Sequence, residues 1–171
     1  YSCIVYEVPL PAMHWYRWPN SKSRLISNGC HWIDHFLHLN DYCEVTSTQV
    51  GTGDDGTINC SVALENGAYF TMVLTDTGSQ RIGLQDYIEM RSKGVTVKVT
   101  NSSKYFSENG LRVIRRKRIR KTSSYKLMYR SIAAKISDGH PGDSEDSVRV
   151  SSQLILDLEN LYREVARPQP E

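Results

Sequence analysis

Apolar and polar positions along this chain follow two rhythms, and the changes between them mark its elements. Residues 2–10 (SCIVYEVPL) alternate β-forming side chains and meet Pro9 and Pro11, which predicts an opening strand. Residues 12–24 show no period and read as a loop dense in aromatic side chains. Ile33, Phe36 and Leu37 recur at helical spacing, so a helix is expected to end near Asn40-Asp41, with Ser27 or Asn28 as its cap. The period then shortens to two. Residues 44–50, 57–64 and 69–75 predict three strands, separated by residues 51–56 and by the hairpin signal Glu65-Asn66-Gly67. Residues 82–90, 95–100 and 111–120 continue the series, with turns at Lys93-Gly94 and Asn109-Gly110. Short turns between successive strands predict an antiparallel meander.

Helical spacing returns near the end. Leu127, Met128, Ile132 and Ile136 share one stripe behind a cap at Thr122 or Ser123, and that helix should stop near Gly139. A polar loop over residues 140–146 leads to a last amphipathic helix marked by Leu154, Leu158, Leu161 and Val165 and ended by Pro168. The expected fold class is α+β: a predominantly antiparallel open sheet with helices covering one face. No internal repeat and no second domain is visible, so residues 1–171 read as one domain.

Composition narrows the function classes without choosing one. Hydrophobic content of 39% and charged content of 23% describe a folded globular chain. No apolar run approaches the roughly 18 residues of a membrane span, and none resembles a signal peptide. The chain opens on Tyr1 with strand-like sequence under way, as a piece cut from a longer protein would. Cys3, Cys30, Cys43 and Cys60 contain no C-x-x-C pair, so they are expected as reduced thiols in a cytoplasmic protein, with no metal site.

Three stretches carry candidate chemistry. Residues 51–56 spell G-x-G-x-x-G, the letters of a dinucleotide-binding loop. That loop works because a helix begins where it ends and offers its amide groups to the pyrophosphate. Here β-forming residues follow, and Asp54 and Asp55 would repel an anion, so the segment reads as a hairpin turn. The second stretch is basic: Arg112, Arg115, Arg116, Lys117, Arg118, Arg120 and Lys121 alternate in part with Val113, Ile114 and Ile119. With a formal net charge of only +2 overall, a solvated edge strand is the favoured reading, ahead of sugar-phosphate attraction and nucleic-acid binding.

The third stretch is Ser27-Asn28-Gly29-Cys30-His31-Trp32-Ile33-Asp34, which opens the first helix. Glycine beside histidine there gives close backbone access and an imidazole that a ligand can reach. G-C-H-W-I-D followed by an amphipathic helix resembles the G-x-H-x-I-D segment of the glucose–fructose oxidoreductase, inositol dehydrogenase and MocA family. The N-G hairpin at Asn66-Gly67, the Y-I-E strand at Tyr87-Ile88-Glu89 and the two closing helices follow in that family's order.

The resemblance implies a C-terminal domain of the dihydrodipicolinate-reductase-like type, which binds substrate and pairs with another copy through its sheet face between Val45 and Thr100. It implies hydride transfer between NAD or NADP and a hydroxyl-bearing carbon of a sugar, cyclitol or nucleotide sugar. The cofactor would be held by an N-terminal Rossmann domain, without which this half is inactive. His31 is then the catalytic acid/base, because an imidazole takes a proton near neutral pH. Many members carry Asp four residues before that histidine; this chain has Ser27, which can orient a ring but adds no charge. His14, Trp15, Arg17, Trp18, Ser27 and Asn28 are the expected substrate contacts, through aromatic stacking on sugar faces and a forked guanidinium. The rival readings are a non-catalytic binding or dimerisation module of the same fold, and a nucleic-acid-binding domain using residues 112–121.

Overall fold

The structure is a computed structural model that describes residues 1–9, 11, 13–14, 18, 22–140, 142 and 144–166, the side chains of Ile82 and Lys121 excepted. Eight strands make one sheet: β1 (Ser2–Tyr6), β2 (Val45–Thr52), β3 (Ile58–Leu64), β4 (Tyr69–Thr75), β5 (Gln85–Ser92), β6 (Val95–Thr100), β7 (Lys104–Asn109) and β8 (Arg112–Arg118). Three helices accompany them, α1 (Cys30–His38), α2 (Lys121–Ser137) and α3 (Glu145–Val165). The fold is α+β, with a predominantly antiparallel open sheet, as the periodicity predicts.

The sheet is not a plain meander. Its order is β2-β3-β4-β1-β5-β6-β7-β8, so the first strand lies in the middle. β1 runs parallel to β4, with Cys3 opposite Met72, and antiparallel to β5, with Cys3 opposite Ile88. The physical reason lies in β1 itself. Cys3 and Val5 are buried on one face, and a strand with this much apolar surface gains most between two neighbours rather than at an edge. The remaining pairings are hairpins whose turns use left-handed backbone where the sequence offers it: Lys93 and Gly94 have φ of 48° and 77°, and Gly67 has 81°.

One sheet face carries the core. Val5, Val62, Phe70, Met72 and Leu74 meet Leu25, Ile33, Phe36 and Leu37 of the α1 region and Leu154 and Leu158 of α3. Phe36 stacks on Phe70 with centroids 5.2 Å apart, and Tyr1 leans on both rings. Gly29 has a packing role. A Cβ there would stand 3.0 Å from the Met72 methyl, so its absence lets the start of α1 press onto β4. The expectation that this glycine opens the backbone to a ligand is corrected by that contact.

Several sequence expectations shift. β7 was not foreseen, because its polar residues Lys104, Ser107, Glu108 and Asn109 obscure the alternation and only Ser107 is fully buried. Before β5, residues 80–82 form a short 3-10 turn, so the strand starts at Gln85 rather than at residue 82. α2 begins after Arg120 without a side-chain cap, so neither Thr122 nor Ser123 caps it. Its stripe also faces outward: Tyr125, Leu127, Met128, Tyr129, Ile132 and Ile136 are all exposed. Helical cover of the sheet therefore comes from α1 and α3, not from all three helices. α3 is capped by Ser144, whose hydroxyl accepts from the Ser147 amide, while Pro168 lies outside the described residues.

All four cysteines are free. Burial pushes the thiols of Cys3 and Cys60 up, Cys60 to about 12. Among the described residues, no helix is long and apolar enough to cross a membrane.

Candidate functional site

The residues around the start of α1 share one end of the sheet with the ends of β1 and β4 and with the β2–β3 hairpin. The helical run begins earlier than the sequence predicts, as a π-type turn over Leu25–Gly29. Ser23 serves its start, its hydroxyl accepting from the Leu25 amide at 3.1 Å. Ser27 and Asn28 are consequently inside the run, not caps. A π-type turn widens the helix locally and is common beside functional positions.

A cavity of about 480 Å3 opens here, lined by Glu7, Ser23, Arg24, Ser27, Asp76 and Tyr162 among others. Asn28 is buried behind it and donates its side-chain amide to Glu7 Oε1 at 2.6 Å. Arg24 stands between two carboxylates, with Nη1 3.6 Å from Glu7 Oε2 and 3.3 Å from Asp76 Oδ1, and its Nη2 donates to the Gly56 carbonyl. Ser23 donates to Glu159, which also accepts from Arg163 Nε at 2.8 Å. The wall is thus a set of hydrogen-bonding groups anchored on β1, the α1 run and α3. It suits a ligand rich in hydroxyls.

Glu7 is 6% exposed, and burial pushes its carboxyl above the ordinary carboxylate range; the Asn28 hydrogen bond and the Arg24 charge only partly offset this. Folding therefore makes Glu7 easier to protonate than it is in the unfolded chain. Its contribution to stability is full below the unfolded carboxylate pKa of about 4.3 and is lost as pH rises through the raised folded value. Glu7→Gln is expected to gain stability relative to the parent chain as pH rises from the acid side toward neutrality. Urea denaturation across that interval checks it, and a constant difference would refute it.

The G-x-G-x-x-G letters behave as a hairpin turn. Gly51 and Thr52 finish β2, and Asp55 accepts from the Thr57 amide at 2.9 Å and from the Thr57 and Thr77 hydroxyls. Those bonds hold its carboxyl below the usual range. No helix follows, so these residues do not fit a dinucleotide pyrophosphate. The loop instead lends Asp55 and Gly56 to the cavity rim.

The predicted site residues divide. Ser27 lines the cavity, and Asn28 supports it through Glu7. His31 lies one turn beyond Ser27, exposed, its ring edge-on to buried Trp32 with centroids 6.1 Å apart; it does not line the cavity. His14 is half-buried and Trp18 is 59% exposed, while Trp15 and Arg17 lie outside the described residues. The sequence reading missed Glu7, Arg24, Asp76 and Tyr162. A signal existed for Glu7, a lone carboxylate between Tyr6 and Val8 in an apolar strand. Among the described residues no three His, Cys, Asp or Glu side chains group as metal ligands.

No protein-family model matches the sequence, and no curated protein does. Solved structures do match the fold. The UDP-N-acetylglucosamine 3-dehydrogenase GnnA from Acidithiobacillus ferrooxidans superposes with a TM-score of 0.77 at 10% identity, over 97% of this chain and 54% of that one. A dehydrogenase (MviM) from Clostridium difficile gives 0.66 at 15% identity, over 93% and 54%. The WlbA dehydrogenase from Chromobacterium violaceum, in complex with NADH and UDP-GlcNAcA, gives 0.53 at 15%, over 100% and 55%. The chain spans about half the length of these dehydrogenases and shares its fold with that part of them.

Proposed function

We propose that this chain is the substrate-binding half of an NAD(P)-dependent oxidoreductase of the glucose–fructose oxidoreductase, inositol dehydrogenase and MocA family, acting on a hydroxyl of a sugar, cyclitol or nucleotide sugar. The observation that carries the reading is the fold likeness to GnnA, which takes in 97% of the chain. The G-C-H-W-I-D segment supports it, because it opens the first helix beside a polar cavity. A separate nucleotide-binding body in a cytoplasmic enzyme is part of the reading; in its favour, the G-x-G-x-x-G letters of this chain form a hairpin turn between two strands.

The chain's own residues then bind and orient. Ser27, Arg24 and Asp76 offer hydroxyl, guanidinium and carboxylate groups to the hydroxyls of a sugar, an arrangement that fixes both position and face. In this reading the substrate extends from the cavity past Ser27 to the exposed face of α1, where His31, one turn on, takes the hydroxyl proton as the carbon is oxidised. Pairing with another copy through the sheet face opposite α1 and α3 belongs to the same proposal.

The test joins the chain to its nucleotide-binding half and follows reduction of NAD or NADP with a panel of sugars, cyclitols and nucleotide sugars. At least one hydroxyl compound is expected to drive reduction, and the 171-residue chain alone to give none. Cofactor binding without reduction across the panel would overturn the redox reading in favour of a binding module.

A further inference from the structure

The sequence predicts a solvated edge for the basic stretch, and β8 does end the sheet with every residue exposed. The register adds what the sequence could not show. Lys98 of β6 pairs with Phe106 of β7, and Phe106 with Arg116 of β8; one step along, Thr100 pairs with Lys104, and Lys104 with Arg118. Residues two apart on a strand point the same way, so four cations from three strands surround one aromatic ring on one sheet face. These residues line a concavity of about 440 Å3 at the far end of the sheet from the α1 cavity.

The arrangement exceeds what blocking an edge requires. Charge on the edge strand alone suffices to repel a pairing chain, whereas Lys104 and Lys98 lie one and two strands inward. The Arg116 guanidinium sits 5.4 Å from the Phe106 ring centroid, which holds its donors in place over the concavity. Among the described residues, none of the β8 cations makes an ion pair; Lys98 alone meets acids, Glu89 and Glu108, both at 3.9 Å. The field is also segregated. Residues 112–137 contain ten of the chain's 21 basic residues and none of its 19 acidic ones. The modest overall charge therefore conceals a strongly basic segment running from β8 through α2.

We propose that the β6–β7–β8 concavity, centred on Phe106, Arg116 and Arg118, binds the phosphates of an extended single-stranded phosphate chain. Arg116 and Arg118, two residues apart on β8, share that face at a spacing of about 6.6–6.8 Å along the strand, so together they can meet neighbouring phosphates of a linear polyanion. Because Arg116 already covers the Phe106 ring, the contact is to phosphate rather than to a particular base, and no sequence preference is expected. The concavity lies at the β6–β8 edge of the open sheet face, beside the Val45–Thr100 strands proposed to pair with another copy; it is apart from the cavity beside α1 and does not depend on the redox reading.

Fluorescence anisotropy of a labelled oligothymidylate, with inorganic polyphosphate as competitor, tests it across a series of salt concentrations. Three or four neutralised phosphates predict a log–log salt slope of about −2 to −3. Effective competition by polyphosphate is expected, because the phosphate chain is the ligand; oligothymidylate binding that polyphosphate does not displace overturns the proposal. Arg116→Glu with Arg118→Glu should weaken binding at least about 10-fold and flatten the slope. The equal change of net charge in Arg149→Glu with Lys126→Glu, on α3 and α2, should do much less. Both pairs alter exposed side chains, so unchanged thermal unfolding confirms that the comparison is between folded proteins. No salt-sensitive binding, or equal losses from the two pairs, overturns the proposal.

Discussion

His31→Ala in the enzyme that joins this chain to its nucleotide-binding half is expected to lower kcat at least about 100-fold while leaving NAD(P) affinity unchanged. The geometry makes the experiment clean. His31 is exposed and, among the described residues, its ring contact is edge-on to Trp32, so its removal should cost little stability, within about 0.5 kcal/mol for an exposed site. A fall in turnover at unchanged unfolding temperature then reports chemistry and not folding. The expected split is informative as well. If Ser27, Arg24 and Asp76 hold the substrate, KM should move little in the His31 variant and substantially in Arg24→Ala. Unchanged turnover would remove the acid/base role and leave a binding module that keeps the fold.

What the sequence made legible, and what it did not, follows from the range over which each signal acts. β4 and β6 match their predicted bounds at both ends, because alternation and flanking turns such as Glu65-Asn66-Gly67 and Lys93-Gly94 are local. The position of β1 between β4 and β5 is set by pairing across some 70 residues, and no local pattern encodes it. β7 escaped because a strand that buries only Ser107 among polar residues has almost no periodic signal. The helical run starts earlier than composition suggests because Ser27 and Asn28 are good caps by type, while Ser23, four residues before Ser27, takes that part through the Leu25 amide.

The candidate site was half legible for the same reason. Ser27, Asn28 and His31 sit in one contiguous motif and could be picked out together. Glu7, Arg24, Asp76 and Tyr162 come from β1, the α1 run, the end of β4 and α3, and only folding gathers them. The basic patch divides likewise. Its β8 residues were visible as a run, whereas Lys98, Lys104 and Phe106 join them through strand register alone.

Phe70→Ala should produce the largest loss of stability of any single side-chain truncation in the sheet, about 3–5 kcal/mol. Phe70 is fully buried on β4, the strand that separates β3 from β1, and its ring packs against both Phe36 and Tyr1. Truncation would leave a void bounded by a helix and two strands, none of which can move in without breaking its own hydrogen bonds. A domain of ordinary stability holds about 5–15 kcal/mol in all, so the variant should unfold at a much lower urea concentration. Ile132→Ala on α2 is the matched comparison. Ile132 is 45% exposed on a helix whose stripe faces outward, so its loss should stay within about 0.5 kcal/mol. Comparable losses from the two substitutions would mean that α2 packs in solution. A large difference would localise cooperativity to β4 and the helical run of residues 24–38, which carries Arg24, Ser27 and His31. Precision at the candidate site would then depend on the Phe36–Phe70 stack, because that contact fixes how α1 lies on the sheet.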